Sequence, residues 1–243
     1  MLRSTKEIRG YELQAKDGAI GKVHGLLFDD RNWTVRYLVA NTGSWLIDRL
    51  VLLVPDELGD PDWSEKVLPV RLTRKQVEES PPIEADKPVS RQRQEALHVY
   101  YGWPMYWAVP PEHVLAVSPA VETGPSVTSN DDDGDPNLRS TRQVGDYRTE
   151  ARDGPVGRVH DFIVDDDGWA IRYVVVDTGD WLPGRRMLVA SSWIQGIDWA
   201  DAVVRVDLAK REIEESPEYD ASASVNRQYE ERLYDFLGRP KYW

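Results

Sequence analysis

The sequence predicts a mostly β protein: two small antiparallel β-barrels in tandem, each followed by a helix and an aromatic tail. Three observations carry this reading. The chain repeats itself at an offset of 136 residues, ungapped from Leu2/Leu138 to Trp107/Trp243, with 42 identities over 106 aligned positions. Each copy holds several short β-branched or aromatic runs separated by Gly, Asp and Asn turns. Each copy then closes on a stretch with helix start and stop signals.

In chain order, DGAIG and DGPVG place Gly18, Gly21, Gly154 and Gly157 where a turn calls for positive φ. KVHGLLFDD and RVHDFIVDD read as strands, followed by RNW or DGW. There Asn32 and Gly168 are the residues expected to take the left-handed conformation of a tight hairpin. TVRYLVANTG and AIRYVVVDTG supply the second strand, RLVLLV and RMLVAS a third, VLPVRL and VVRVDL a fourth. LTRKQVEESP and LAKREIEESP form a short helix stopped by Pro81 or Pro217. In VSRQRQEALHVYYG and VNRQYEERLYDFLG, Ser90 and Asn226 are N-caps, and Gly102 and Gly238 end the helix.

Residues 1–107 and 138–243 are thus the two repeats, and 108–137 is a linker rich in Pro, Ser and Asp. Net charge divides as −1, −6 and −5 over repeat, linker and repeat, so half of the total −12 sits in the connector and keeps it solvated.

The opening DGAIGKVHGLLFDD, the WxxRYLV strand from Trp33 to Val39, the TGxW turn and the LTRxQxExSP close resemble the PRC-barrel family. That family includes the barrel domain of photosynthetic reaction-centre H subunits and of a ribosome-maturation factor. The likeness covers 2–81 and 138–217. It implies an adaptor or assembly module and brings no catalytic residues. Neither the membrane helix of the H subunits nor the second domain of the ribosome factor is present, so neither role transfers.

Composition narrows the function classes. The absence of cysteine excludes disulfides, thiolate metal sites and cysteine nucleophiles. A net charge of −12 argues against direct nucleic-acid binding, which needs Lys and Arg against phosphates. No apolar run reaches the roughly 20 residues of a membrane span. The first residues lack a signal peptide's apolar core, so a cytoplasmic location is expected.

Candidate sites are few. YYGWPMYW and FLGRPKYW are one element written twice, and they place Tyr100, Tyr101, Trp103, Tyr106, Trp107, Phe236, Tyr242 and Trp243 as interaction or inter-domain packing residues. A membrane anchor would not exchange Trp103 and Met105 for Arg239 and Lys241 in its twin, so packing is the favoured reading. His24 and His160 share a position, but no second repeated His completes a metal set. Arg36 and Arg172 precede Tyr37 and Tyr173 and are expected to pair with a repeated acid such as Asp29. The aspartates at 29–30, 165–167 and 131–135 miss the calcium-loop spacing. No catalytic residue, metal or cofactor is therefore assigned.

The expectation is a non-enzymatic protein-interaction or assembly module. Its two repeats form an intramolecular pseudo-dimer with an unidentified protein partner and room for further self-association. Two alternatives are a ligand-binding protein or enzyme with an aromatic-lined site between the barrels, and a ribosome or RNA-processing assembly factor acting through a basic protein.

Overall fold

The computed structural model describes residues 1–43, 49–81, 83, 89–107, 134–179, 182–221 and 223–243. Trp45 and Trp181 of the TGxW turns, and linker residues 108–133, lie outside the described residues. The first repeat forms β1 (Leu2–Ser4), α1 (Thr5–Ile8), β2 (Glu12–Ala15), β3 (Gly18–Asp29), β4 (Thr34–Asn41), β5 (Leu50–Leu53), β6 (Val67–Pro69), α2 (Arg74–Glu78) and α3 (Arg91–Tyr101). The second forms β7 (Leu138–Ser140), α4 (Thr141–Val144), β8 (Arg148–Ala151), β9 (Gly154–Asp165), β10 (Ala170–Asp177), β11 (Arg186–Ala190), β12 (Ile194–Asp198), β13 (Val203–Val206), α5 (Lys210–Glu215) and α6 (Arg227–Leu237).

The β-rich class is as expected, but the strands do not separate into two antiparallel barrels. All join one curled, mixed 13-stranded sheet with the central order β12-β13-β8-β9-β10-β4-β3-β2-β6. Among the described residues only β2–β6 and β8–β13 pair parallel. The halves meet where Thr34 faces Ala170. There the Val35 amide donates to the Trp169 carbonyl at 2.8 Å, and the Ile171 amide donates to the Trp33 carbonyl at 2.7 Å. These bonds exchange under the 136-residue offset, so a pseudo-twofold relation runs through the junction.

The first strand of each repeat crosses to the other. β1 pairs with β9, Leu2 against Asp165 and Ser4 against Ile163. β7 pairs with β3, Leu138 against Asp29 and Ser140 against Leu27. The exchange covers strand edges that each repeat would otherwise leave open. The main core spans both halves, and the Phe28 and Phe162 rings lie 5.7 Å apart within it.

Local chemistry explains the turns, with one correction. The left-handed residues after β3 and β9 are Trp33 (φ 58°) and Trp169 (φ 50°), not Asn32 and Gly168. The Trp33 amide is held by the Asp29 carbonyl at 2.8 Å, its carbonyl serves Ile171, and its indole stacks on Phe28 at 5.3 Å. Burial and these bonds offset the backbone cost of a bulky residue at positive φ. Gly21 and Gly157, at φ 132° and 142°, sit where a Cβ would overlap the Asn41 and Asp177 carbonyls. The helix ends follow the sequence: Ser90 and Asn226 cap α3 and α6, and Gly102 and Gly238 adopt αL after them. Arg49 and Arg185 tie the sheet to α2 and α5, donating to the Glu78 and Glu214 carbonyls at 2.8 and 2.9 Å.

Candidate functional site

Each aromatic tail folds back over its own repeat and closes on a polar knot beneath the long helix. In the second repeat Glu230, on the inner face of α6, is buried. It accepts from the Tyr173 and Tyr242 hydroxyls at 2.7 and 2.6 Å and pairs with Arg227 at 3.1 Å. Arg172 lies over the Tyr242 ring at 4.6 Å, and Arg227 lies over Trp243 at 4.1 Å. Burial, then the hydrogen bond to Glu230, push the Tyr242 hydroxyl up to about 12. The carboxylate thus acts as acceptor for two protonated phenols.

The first repeat builds the same knot from different residues. Gln94 stands where Glu230 stands and accepts from the Tyr106 hydroxyl at 2.7 Å, while the Tyr37 oxygen lies 3.2 Å from the same amide oxygen. The missing charge comes from Asp135, just ahead of β7 and almost fully buried, which takes Gln94 Nε2 at 2.9 Å and Arg91 at 2.6 Å. His98 replaces Tyr234. Its Nδ1 donates to the Pro104 carbonyl at 2.9 Å, leaving Nε2 to accept from the Tyr37 hydroxyl at 2.7 Å. Arg36 covers Tyr106 at 4.1 Å and Arg91 covers Trp107 at 4.4 Å. Such stacking restrains the tails with about 0.5–2 kcal/mol per contact.

The indole under each tail also changes origin. Trp103 stacks on Tyr101 at 4.1 Å and donates to Glu57 at 2.9 Å. The equivalents of Trp103 and Glu57 are Arg239 and Trp193. Trp193 packs on Tyr234 at 4.9 Å, and Arg239 bonds Asp207 at 3.1 Å. Tyr100 and Phe236, at one further matching position, remain 38% and 46% exposed.

Arg36 and Arg172 do pair with the repeated acid, at 3.3 Å to Asp29 and 3.1 Å to Asp165. Burial works against ionisation of Asp29, but bonds from Arg31 and Arg36 outweigh it and hold the carboxyl below its ordinary range. Residues 29–30 and 165–166 are therefore engaged by the protein's own cations. Arg139 reaches Asp30 at 3.6 Å, and the N-terminal amine meets Asp166. Asp131–Asp133 lie outside the described residues.

His24 and His160 face cations of the opposite repeat. Arg142 approaches His24 Nε2 at 2.8 Å, and Lys6 Nζ lies 3.3 Å from the His160 ring nitrogens. Desolvation first, then those cations, lower both imidazole pKa values, so both are neutral partners in the inter-repeat contact. Beside His160, Asp161 binds the start of α1, accepting from Ser4, from the Thr5 hydroxyl at 2.7 Å and from the Lys6 amide at 3.2 Å.

Sequence reasoning located the tails and the repeated His and Arg but missed Gln94, Asp135, Glu230, Arg91, Arg227, Trp193 and Asp161. Arg91 and Arg227 recur at the start of the closing helix, a signal that was there to read. Among the described residues no helix is long and apolar enough to cross a membrane. Comparison with protein-family models and with curated proteins returned no match to this chain.

Proposed function

We propose that the chain is a non-enzymatic protein-interaction or assembly module whose two PRC-barrel-like repeats, 1–107 and 138–243, form an intramolecular pseudo-dimer. The observation that carries this reading is the reciprocal exchange of β1 and β7. Each strand supplies the edge its partner lacks, and the contacts at Thr34/Ala170, Asp30/Asn137 and Asp166/Met1 obey the same offset. A linker raises the effective concentration of the two halves, so the pairing needs no second chain. The pair then presents two similar but diverged tail faces. Val99, Tyr100 and Met105 are exposed on one, and Phe236, flanked by the Lys241–Asp235 pair, on the other. Exposed aromatics in rigid surroundings are the residue class that dominates protein interfaces.

Two experiments test this. Fragments 1–107 and 134–243, expressed separately, should associate one-to-one on mixing; two stable monomers without mutual affinity end the pseudo-dimer reading. Affinity purification from the native organism should retain a protein partner that is lost in a Tyr100→Ala/Phe236→Ala chain. Recovery of the same proteins with both chains removes the tails from the interaction.

A further inference from the structure

A cleft of about 690 Å³ opens at the repeat junction, lined by β2, β3 and the end of β4 of the first repeat and by α4 of the second. Its wall carries Arg9, Lys22, His24 and Arg142, and its apolar floor includes Ala19 and Val23. Glu12 is the one carboxylate among the described residues of the lining, and although it lies across from Lys22 in the β2–β3 ladder, the two form no ion pair. Among the described residues neither Arg9 nor Lys22 meets a carboxylate within ion-pair distance, and Arg142 is directed at a neutral imidazole. Three exposed cations therefore line one cleft, without a carboxylate partner among the described residues, in a protein of net charge −12. Like charges are costly to gather without a counter-ion.

The mirror positions in the second repeat are arranged differently. Gly145 stands for Arg9, Asp146 for Gly10 and Asp177 for Asn41. The second repeat does gain Arg148 where the first has Glu12, and Lys6 faces His160 there as Arg142 faces His24, but its other cations are engaged. Arg148 donates to the Asp201 carbonyl at 3.2 Å and Arg158 to the Asp146 carbonyl at 3.1 Å, while Arg186 pairs with Asp177 at 3.6 Å. Duplication produced two such faces, and among the described residues Arg9 and Lys22 of the first have no ion-pair partner, whereas in the second Gly145 replaces Arg9 and Arg158 bonds the Asp146 carbonyl.

We propose that the cleft bounded by Arg9, Lys22, His24 and Arg142 binds the phosphate group of a small organic phosphate, with Arg142 joining the site from the opposite repeat. A dianion matches the three cations and Glu12 better than a monocarboxylate does, and the volume is that of a small-molecule pocket. His24 then gains an acceptor beside it and holds a proton more readily in the complex than in the free protein.

Titration calorimetry of the full chain at low salt, with pyrophosphate as probe, tests the site. One pyrophosphate per chain is expected. Arg142→Gln and the surface change Lys22→Gln should each weaken binding about tenfold or more, while Arg158→Gln, the mirror of Lys22, leaves it unchanged. The His24 imidazole resonance should move toward its protonated position on titration, and citrate should bind more weakly than pyrophosphate. No saturable binding, two equal sites, an undiminished affinity in Lys22→Gln, or tighter citrate binding would each overturn the assignment.

Discussion

Asp135 lies 2.9 Å from Gln94 Nε2 and supplies, from outside the first repeat, the carboxylate that Glu230 supplies from within the second. Asp135 is therefore a structural part of the first repeat, although the sequence pattern assigns it to the linker. Removing it leaves Arg91 and Gln94 without their shared acceptor. Asp135→Ala should cost about 2 kcal/mol, below the 3–5 of a fully buried pair because Arg91 is partly solvated. Gln94→Glu alone should also destabilise, by setting two carboxylates together. Combined with Asp135→Asn it rebuilds the arrangement of the second repeat, and a double-mutant cycle in urea should show favourable coupling above about 1 kcal/mol.

The exchanged strands suggest a second measurement. Asp161 gathers three donors from Ser4, Thr5 and Lys6, whereas its counterpart Gly25 offers no side chain. Asp161→Ala should therefore lower stability by about 2 kcal/mol, and Gly25→Ala should not produce a comparable loss through this network. Amide exchange should rise first across Leu2–Ser4, and equal protection of these amides in the variant would contradict the role given to Asp161.

Gly21 and Gly157 have neither the φ nor the space for a side chain. Alanine at either should cost more than about 2 kcal/mol, a fall in Tm of roughly 4–8 °C for a chain of this size. The neighbouring Gly43, with nothing near its absent Cβ, should lose less despite its own positive φ of 56°. Differential scanning fluorimetry of the three variants checks the order.

His98 is buried and its pKa is lowered, chiefly by desolvation. In the unfolded chain it titrates near about 6.5. The unfolded state therefore binds the proton first, and stability is complete above that pH, falling as pH drops below it until the folded pKa is reached. His24 and His160 are shifted in the same direction and add to the trend. Urea midpoints measured from pH 7.5 to 5.5 should decline, and His98→Gln should decline less steeply over that window. A parallel decline would assign the effect to other groups.

Local rules made much of the fold legible. The caps at Ser90 and Asn226 and the αL stops at Gly102 and Gly238 follow from residues within one turn of the feature they specify, and the 136-residue repeat is read by aligning the chain with itself. The β3–β4 hairpin is legible in the sequence, but its left-handed residue is not: Asn32 tolerates positive φ intrinsically, whereas Trp33 is driven there by stacking on Phe28 and by bonding across the junction. The tail site was legible as aromatic packing. Its polar centre was not, because Gln94 and Asp135 stand 41 positions apart and come together only beneath α3.

What the sequence determined alone is duplication, β-rich character, the helix ends and the recurrence of the tails, since each is a matter of composition, period or local backbone preference. The tertiary structure decided which strand completes which repeat, where the carboxylate under each tail comes from, and that Arg142 faces His24. These are contacts between distant segments. Strand edges and buried charges accept any partner of suitable geometry, so the choice among partners is made only when the two halves pack.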